Sequence, residues 1–306
     1  MAAPTRVLLP ILIVLCGIFL LDVMGVMLRI LSDRYPVEQL SAFRNFFGMV
    51  PSLILLLSLR EWHEAGRPIR IRQWKLGFLR GLFVAIAQLC FYTALTLLEF
   101  ATVSTLAFAG PMFVTALSVP VLGERVGPWR WIAVIFGFAG VVLVMAPGTD
   151  AFTLAALLPL GAALGYGSSS IAVRLVDKDV PSPLLNLYAN LSALFCAVLF
   201  TLAWTEPVWI GSWADLGLII AMGCSGGCGV LCLTYAYRMA APAMLAPFEY
   251  SGILFAFVLG WIVFNEAPFD RLFPGVLLIV GAGLLILWRE RSAPAAPHPR
   301  SSRRHR

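Results

Sequence analysis

Long apolar runs separated by short polar punctuation fill almost the whole chain, and the runs share one length. They cover residues 7–31, 38–59, 75–97, 100–122, 128–146, 152–175, 182–204, 213–238, 242–264 and 271–289. Each is about 18–25 residues long, which carries an α-helix across roughly 30 Å of hydrocarbon. Polar residues do not recur at every second position within the runs, so the pattern is not that of a membrane β-barrel. In lipid the backbone must satisfy its own hydrogen bonds, and helices do so within one segment. The pattern therefore predicts an all-α integral membrane protein of ten transmembrane helices, with loops too short to hold a soluble domain. The first run is too long for the core of a signal peptide and lacks a convincing cleavage site, so it is read as a retained helix.

The punctuation itself repeats. Residues 110–140 read GPMFVTALSVPVLGERVGPWRWIAVIFGFAG, and residues 252–283 read GILFAFVLGWIVFNEAPFDRLFPGVLLIVGAG. In each, an apolar run ends in a glutamate, Glu124 or Glu266, followed by a turn and a second apolar run that closes on glycines. The two glutamates lie about 142 positions apart, close to half of the 306 residues. The chain thus divides into a first repeat at residues 7–148 and a second at 150–290, leaving 292–306 as a proline-rich, basic tail predicted to be disordered.

Composition agrees with the pattern. Hydrophobic residues make up 60% of the chain and charged residues 12%, with a mean hydropathy of +0.89. Such a surface does not suit water. With a cytoplasmic N-terminus, the inner side collects all of the 22 Lys and Arg except Arg29, Arg34, Arg44 and Arg271. Basic loops stay inside, so both termini are expected in the cytoplasm, in a multi-pass protein of the cytoplasmic (inner) membrane. The basic segment 60–80 then marks topology and contacts anionic lipid, and the net charge of +6 requires no nucleic acid. Five spans per half is an odd number, so the second half enters the membrane inverted. Glu124 then lies on the cytoplasmic side and Glu266 on the outer side, where they serve as helix-end and loop-ordering residues. Inverted repeats offer two near-equivalent conformations, one open to each face.

These segments resemble a known family. The proline in the fourth run (Pro111, in GPMFVTALSVPVLGERV), the Trp-containing fifth run, and AFRNFFGMVPSL with Arg44 near the start of the second run are similar to the EamA repeat of the drug/metabolite transporter superfamily. APFEYSGILFAFVLGWIVFNEAP is similar to the family's ninth helix. The resemblance covers about residues 7–290. Within it, Asp22–Met24, Arg44 and the APFEY segment look most like the branch of S-adenosylmethionine and riboflavin uptake proteins. Glu249, however, stands where that resemblance implies a basic residue in an S-adenosylmethionine carrier. The resemblance implies a carrier of small metabolites, with protons as coupling ion or with exchange. Its partners are a small-molecule substrate and membrane lipids; it works as a monomer or homodimer and has no cofactor.

Ionisable residues deep in the runs are costly and mark candidate sites. Asp22 lies roughly 13 Å from the outer end of the first run and Arg44 roughly 9 Å into the second from the same side. The pair reads as a binding or proton-coupling pair, or as an ion pair locking two helices. Arg29, two turns from Asp22 on the same face, is the rival partner or snorkels to the interface. Glu249, roughly 10 Å deep in the ninth run, suits a group that takes up and releases protons, or a structural acid paired with Arg238. Tyr250, Gln88, Tyr92, Tyr188, Asn190 and Tyr235 are candidates for a cavity lining, with Asn45 and Asn190 at matching places in the two halves. Cys224, Cys228 and Cys232 share one helical face among Gly223, Gly226, Gly227 and Gly229. Without a CxxC pair, that face reads as close helix packing rather than as a metal site.

An integral-membrane enzyme would need paired acids for metal and diphosphate, or a serine with a deep histidine. The sequence has no DDxxD or GxSxG, and its histidines, His63, His298 and His305, lie in a loop or the tail. A channel fits less well than a carrier, given the inverted repeats and few pore charges. Acids at two depths, an arginine and several tyrosines suit a zwitterionic or heteroaromatic solute. Amino acids, S-adenosylmethionine, riboflavin and opine-like metallophores all qualify, in either direction.

Overall fold

A computed structural model of the chain describes residues 5–66, 69, 71–123, 127–145, 153–176, 179–239, 245, 248–266 and 272–292. Within these, the side chains of residues 5–7, 130, 133, 237, 238, 283 and 286–292 are not described. The described residues form helices and connecting turns, with no strand among them. In chain order they are α1 (Thr5–Ser32), α2 (Val37–Ser58), the short α3 (Arg60–Glu64), α4 (Trp74–Leu97), α5 (Phe100–Ala107), α6 (Gly110–Leu122) and α7 (Pro128–Met145). A 3₁₀ turn at Leu154–Ala156 leads into α8 (Leu157–Arg174), and α9 (Ser182–Trp204), α10 (Trp213–Met239), α11 (Ser251–Phe264) and α12 (Gly275–Ser292) follow.

Helix occupies part of every predicted run. By length and composition, seven described segments can cross a membrane, while Val134–Met145 and Ser251–Phe264 are apolar but shorter. Side chains on the outer wall, such as Ile54, Leu202 and Ile262, are exposed. A surface of that kind matches hydrocarbon rather than water.

Local chemistry explains where the helices start and stop. Pro36 and Pro181 cap α2 and α9 with nearly the same backbone, at φ −55°, ψ 142° and φ −59°, ψ 133°. Proline has no N–H to donate, so it fits a helix start and recurs there in both halves. The run 100–122, predicted as one helix, is two. Pro111 cannot donate to the carbonyl one turn back, and the chain breaks at Phe108–Ala109 just before it. The far ends of α6 and α11 close alike, on Gly123 at φ +66° and Asn265 at φ +55°. Both are in the left-handed region that terminates helices. Glu124 follows Gly123 but lies outside the described residues.

The helices pair in a pattern that maps onto itself when the halves are exchanged. α1 packs on α10 as α8 packs on α4; α2 packs on α10 as α9 packs on α4; α6 packs on α8 as α11 packs on α1. The pairs α2–α9 and α7–α12 join equivalent helices to each other, and α5 packs on α11, the counterpart of α6. Small residues make these approaches possible. A Cβ on Gly81 would lie 2.4 Å from Ser192 Cβ on α9, and one on Gly223 would lie 2.4 Å from Phe47 Cβ on α2. Gly140 and Gly275 each hold the other's carbonyl oxygen 2.7 Å from where a Cβ would stand. On the cysteine-bearing helix α10, Gly227 meets the Gly48 backbone, Gly229 meets Gly17 and Leu21, and Ser225 Oγ donates to Leu20 O at 2.8 Å. That face is close helix packing, as in many membrane interfaces.

One end of the bundle is tied together by polar contacts. Arg29 donates two hydrogen bonds to Glu266, at 2.7 and 2.5 Å, and Glu266 also accepts the Phe100 N–H at 3.0 Å. Glu266 thereby serves the N-terminus of α5 and links it to α1 and the end of α11. Arg29 is held inward by this pair, with its guanidinium 4.4 Å from the Phe264 ring centroid, instead of snorkelling outward. Nearby, Asp215 at the start of α10 accepts from Arg34 and from Tyr35 Oη, and Tyr35 Oη accepts the Gly211 N–H. Gln39 bonds both backbone groups of Val208.

Candidate functional site

A cavity of about 430 Å³ lies within the bundle, a size suited to a small organic molecule. Helices α1, α2, α4, α5, α8, α9 and α10 line it, together with Phe108 and Glu249 at the two helix breaks. The breaks meet at its edge. Phe108, at the end of α5, and Tyr250, just before α11, pack against each other with ring centroids 5.6 Å apart and ring planes tilted by 33°. Counted from Gly110 and Gly252, they occupy the same place in the two repeats. Gly252 permits this, because a Cβ there would lie 2.8 Å from the Phe108 ring.

Two carboxylates and two guanidiniums face the cavity: Asp22, Glu249, Arg44 and Arg80. No ion pair joins them among the described residues; those seen are Arg29–Glu266, Arg34–Asp215 and Arg60–Glu64. Asp22 Oδ2 is buried without a hydrogen-bond partner. Arg44 is held by amides. Its Nη1 donates to Asn45 Oδ1 and to Asn190 Oδ1, both at 3.1 Å. Asn45 in turn donates to Gln88 Oε1 at 2.8 Å and receives from Gln88 Nε2 at 3.2 Å, while Ser41 Oγ donates to Gln88 Oε1 at 3.0 Å. This neutral network orients the guanidinium without discharging it. Gly226 on α10 leaves room for it, since a Cβ there would lie 3.1 Å from Arg44 Nε.

Of the residues singled out from sequence, Asp22, Arg44, Gln88, Tyr92, Asn190 and Glu249 line this cavity together. Asp22 and Arg44 share its wall but do not bond to each other. Tyr250 lies behind the wall on Phe108, with its hydroxyl buried and unpartnered. Tyr188 turns away, donating its hydroxyl to Ile69 O at 3.0 Å. Tyr235 is 51% exposed and borders a minor crevice beside Leu55 and Leu231. The Arg238 side chain, the expected partner of Glu249, lies outside the described residues. The sequence reading missed Arg80, Asn186, Tyr166 and the hydroxyls of Ser104, Ser169 and Ser170, all of which line the cavity. Arg80 had been assigned to the basic cytoplasmic segment because it follows that segment's charges. In the structure it is in the second turn of α4 and donates to Asn186 Oδ1 at 3.1 Å.

An apolar helical bundle around a charged, ligand-sized cavity defines a multi-pass membrane protein that handles a small molecule. The sequence profile of the EamA-like transporter family matches residues 8–146 and again residues 153–288, and the chain belongs to that family. It is 26% identical over 288 residues to an S-adenosylmethionine uptake transporter of Rickettsia felis, covering 92% of this chain and 95% of that one. A riboflavin transporter of Vibrio cholerae is 32% identical over 180 residues, covering 57% and 58%. A pseudopaline exporter of Pseudomonas aeruginosa is 25% identical over 265 residues, covering 86% and 90%. A solved crystal structure shares the fold, with a TM-score of 0.64 at 20% identity, over 93% of this chain and 99% of that one. The protein is thus a small-molecule transporter of the membrane.

Proposed function

We propose that the chain is a secondary carrier of the cytoplasmic membrane that moves a zwitterionic or heteroaromatic metabolite by alternating access. The observation that carries this reading is the charged cavity at the meeting point of two helix breaks that occupy equivalent places in the repeats. The proposed architecture is two inverted five-helix repeats, residues 7–148 and 150–290, with both termini cytoplasmic. The self-mapping helix pairs support it, because two like halves exchanging roles is what alternating access requires. With this orientation, the ties around Glu266 and Asp215 close the outer end. Arg80 and Asn186 lie near the starts of α4 and α9 and Glu249 lies just before α11, which supports the proposal that the cavity opens toward the cytoplasm in this state.

In this mechanism the substrate enters between Arg44 and the carboxylates, with Gln88, Tyr92 and Asn190 as its polar surroundings and Tyr250 supporting the break from behind. Asp22 and Glu249 take up and release protons as the cavity changes sides. Similarity to an S-adenosylmethionine uptake transporter favours inward movement, and similarity to that protein and to a riboflavin transporter favours a nucleoside- or flavin-like solute. A second reading, export of an opine-like metallophore or amino acid, rests on the similarity to the pseudopaline exporter. Counterflow in proteoliposomes tests the carrier reading: saturable uptake accelerated by substrate on the far side is expected. Linear, unsaturable flux would show a pore instead.

A further inference from the structure

Helix α9 presents two asparagines one turn apart, and each receives a guanidinium from a different helix. Asn190 accepts from Arg44 of α2 and Asn186 accepts from Arg80 of α4, both at 3.1 Å. The asparagines are at i and i+4, about 6 Å apart along the axis, so both arginine heads are anchored on one side of one cavity. Neither is neutralised by a carboxylate among the described residues. Each keeps a buried Nε–H without an acceptor, and Asn186 Nδ2 is a third buried donor without one. Buried donors ordinarily find partners, and three unpartnered donors on residues that line one cavity mark a site short of acceptors.

We propose that Arg44 and Arg80, held by the Asn190–Asn186 ladder, form an anion subsite that binds a carboxylate of the transported molecule. The inference rests on the carrier reading and names its substrate class: a metabolite with a carboxylate at one end and a cationic group for Asp22 and Glu249 at the other. Guanidinium forks match the two oxygens of a carboxylate, and charge-assisted bonds of this kind are the strong ones. Two cations and two anions on the wall also leave a zwitterion's charges matched at both ends. The ladder belongs to the second repeat and both arginines to the first, so the subsite is completed only where the halves meet. Arg80 also donates to the carbonyl of Leu185, at 3.4 Å, which sets its position on α9.

The test uses purified full-length protein and matched acid and amide ligands. Methionine and S-adenosylmethionine, each against its carboxamide, and riboflavin as a member without a carboxylate are assayed by thermal shift and calorimetry. At least one acid is expected to bind with its carboxamide at least tenfold weaker. Arg80→Gln and Asn186→Ala should weaken that acid about tenfold or more while leaving amide affinity unchanged, and Arg80→Lys should recover part of the loss. A purely structural role for Arg80 would lower acid and amide binding alike. That result, equal binding of acid and amide, or no binding by any acid overturns the subsite. Saturable counterflow of riboflavin without acid preference overturns the subsite and leaves the carrier standing. Acid-selective binding without saturable flux does the reverse.

Discussion

Asp22 Oδ2 is buried at the cavity wall without a partner, and Glu249 faces the same space from the other repeat. No ion pair neutralises either acid among the described residues, which is why these two are the proposed proton sites. Asp22→Asn and Glu249→Gln should each remove the dependence of proteoliposome transport on an imposed pH gradient while substrate-driven exchange persists. Gradient dependence unchanged in both variants would assign the acids to substrate contact alone. Asp22, Arg44, Gln88, Tyr92, Asn190 and Glu249 were legible in the sequence because a polar side chain inside an apolar run demands a reason. Arg80 was not, since a basic residue near the start of a helix has the same signature as a topology signal. The serines were silent because a helical hydroxyl can satisfy itself on the preceding turn, as Ser170 does on Tyr166 O at 2.9 Å. Tyr188 and Tyr235 read like cavity residues, but only the rotation of each helix against its neighbours decides which face a tyrosine occupies.

At the scale of elements, the bundle is held by places where two backbones nearly touch. Gly227 on α10 would bring a Cβ within 2.6 Å of Gly48 O, whereas Gly217 on the same helix has nothing within 4 Å. Gly227→Val should therefore destabilise the protein by about 1–3 kcal/mol, the usual scale of overpacking, seen as a lower melting midpoint in detergent. Gly217→Ala should leave the midpoint unchanged or slightly raised, because alanine is the better helix former. Equal midpoints for the two variants would mean that α10 and α2 are not in contact. The breaks before α6 and α11 were half legible. Pro111 announces the first by its missing N–H, but the sequence alone does not say that Phe108 packs on Tyr250 across the two halves.

For the whole molecule, the polar ties around Glu266 and Asp215 and the span count are the features on which the proposed carrier mechanism depends. If the polar contacts of Glu266 and Asp215 hold the outer end shut, Glu266→Gln combined with Asp215→Asn should open it. A cysteine placed at Ser104, on a background lacking the six native cysteines, should then react faster with a membrane-impermeant maleimide added from outside. An unchanged labelling rate would separate those contacts from gating. Reporter fusions test the span count directly. Ten spans put both termini on the cytoplasmic side, so reporters active only in the cytoplasm should work at either end. An odd number such as seven would put the termini on opposite sides, and activity at one end alone would reject the two inverted five-helix repeats.

By itself, the amino-acid order determined that this chain lives in a membrane as helices, that it repeats, and which family it belongs to. Those properties follow from run length, spacing and local chemistry, which are written consecutively along the chain. The cavity is different in kind. Asp22, Arg44, Arg80 and Asn186 come from four separate helices and Glu249 from the break before α11, and their meeting depends on glycine-mediated approaches and helix rotations. Those are long-range packing terms, and only the tertiary structure decides them.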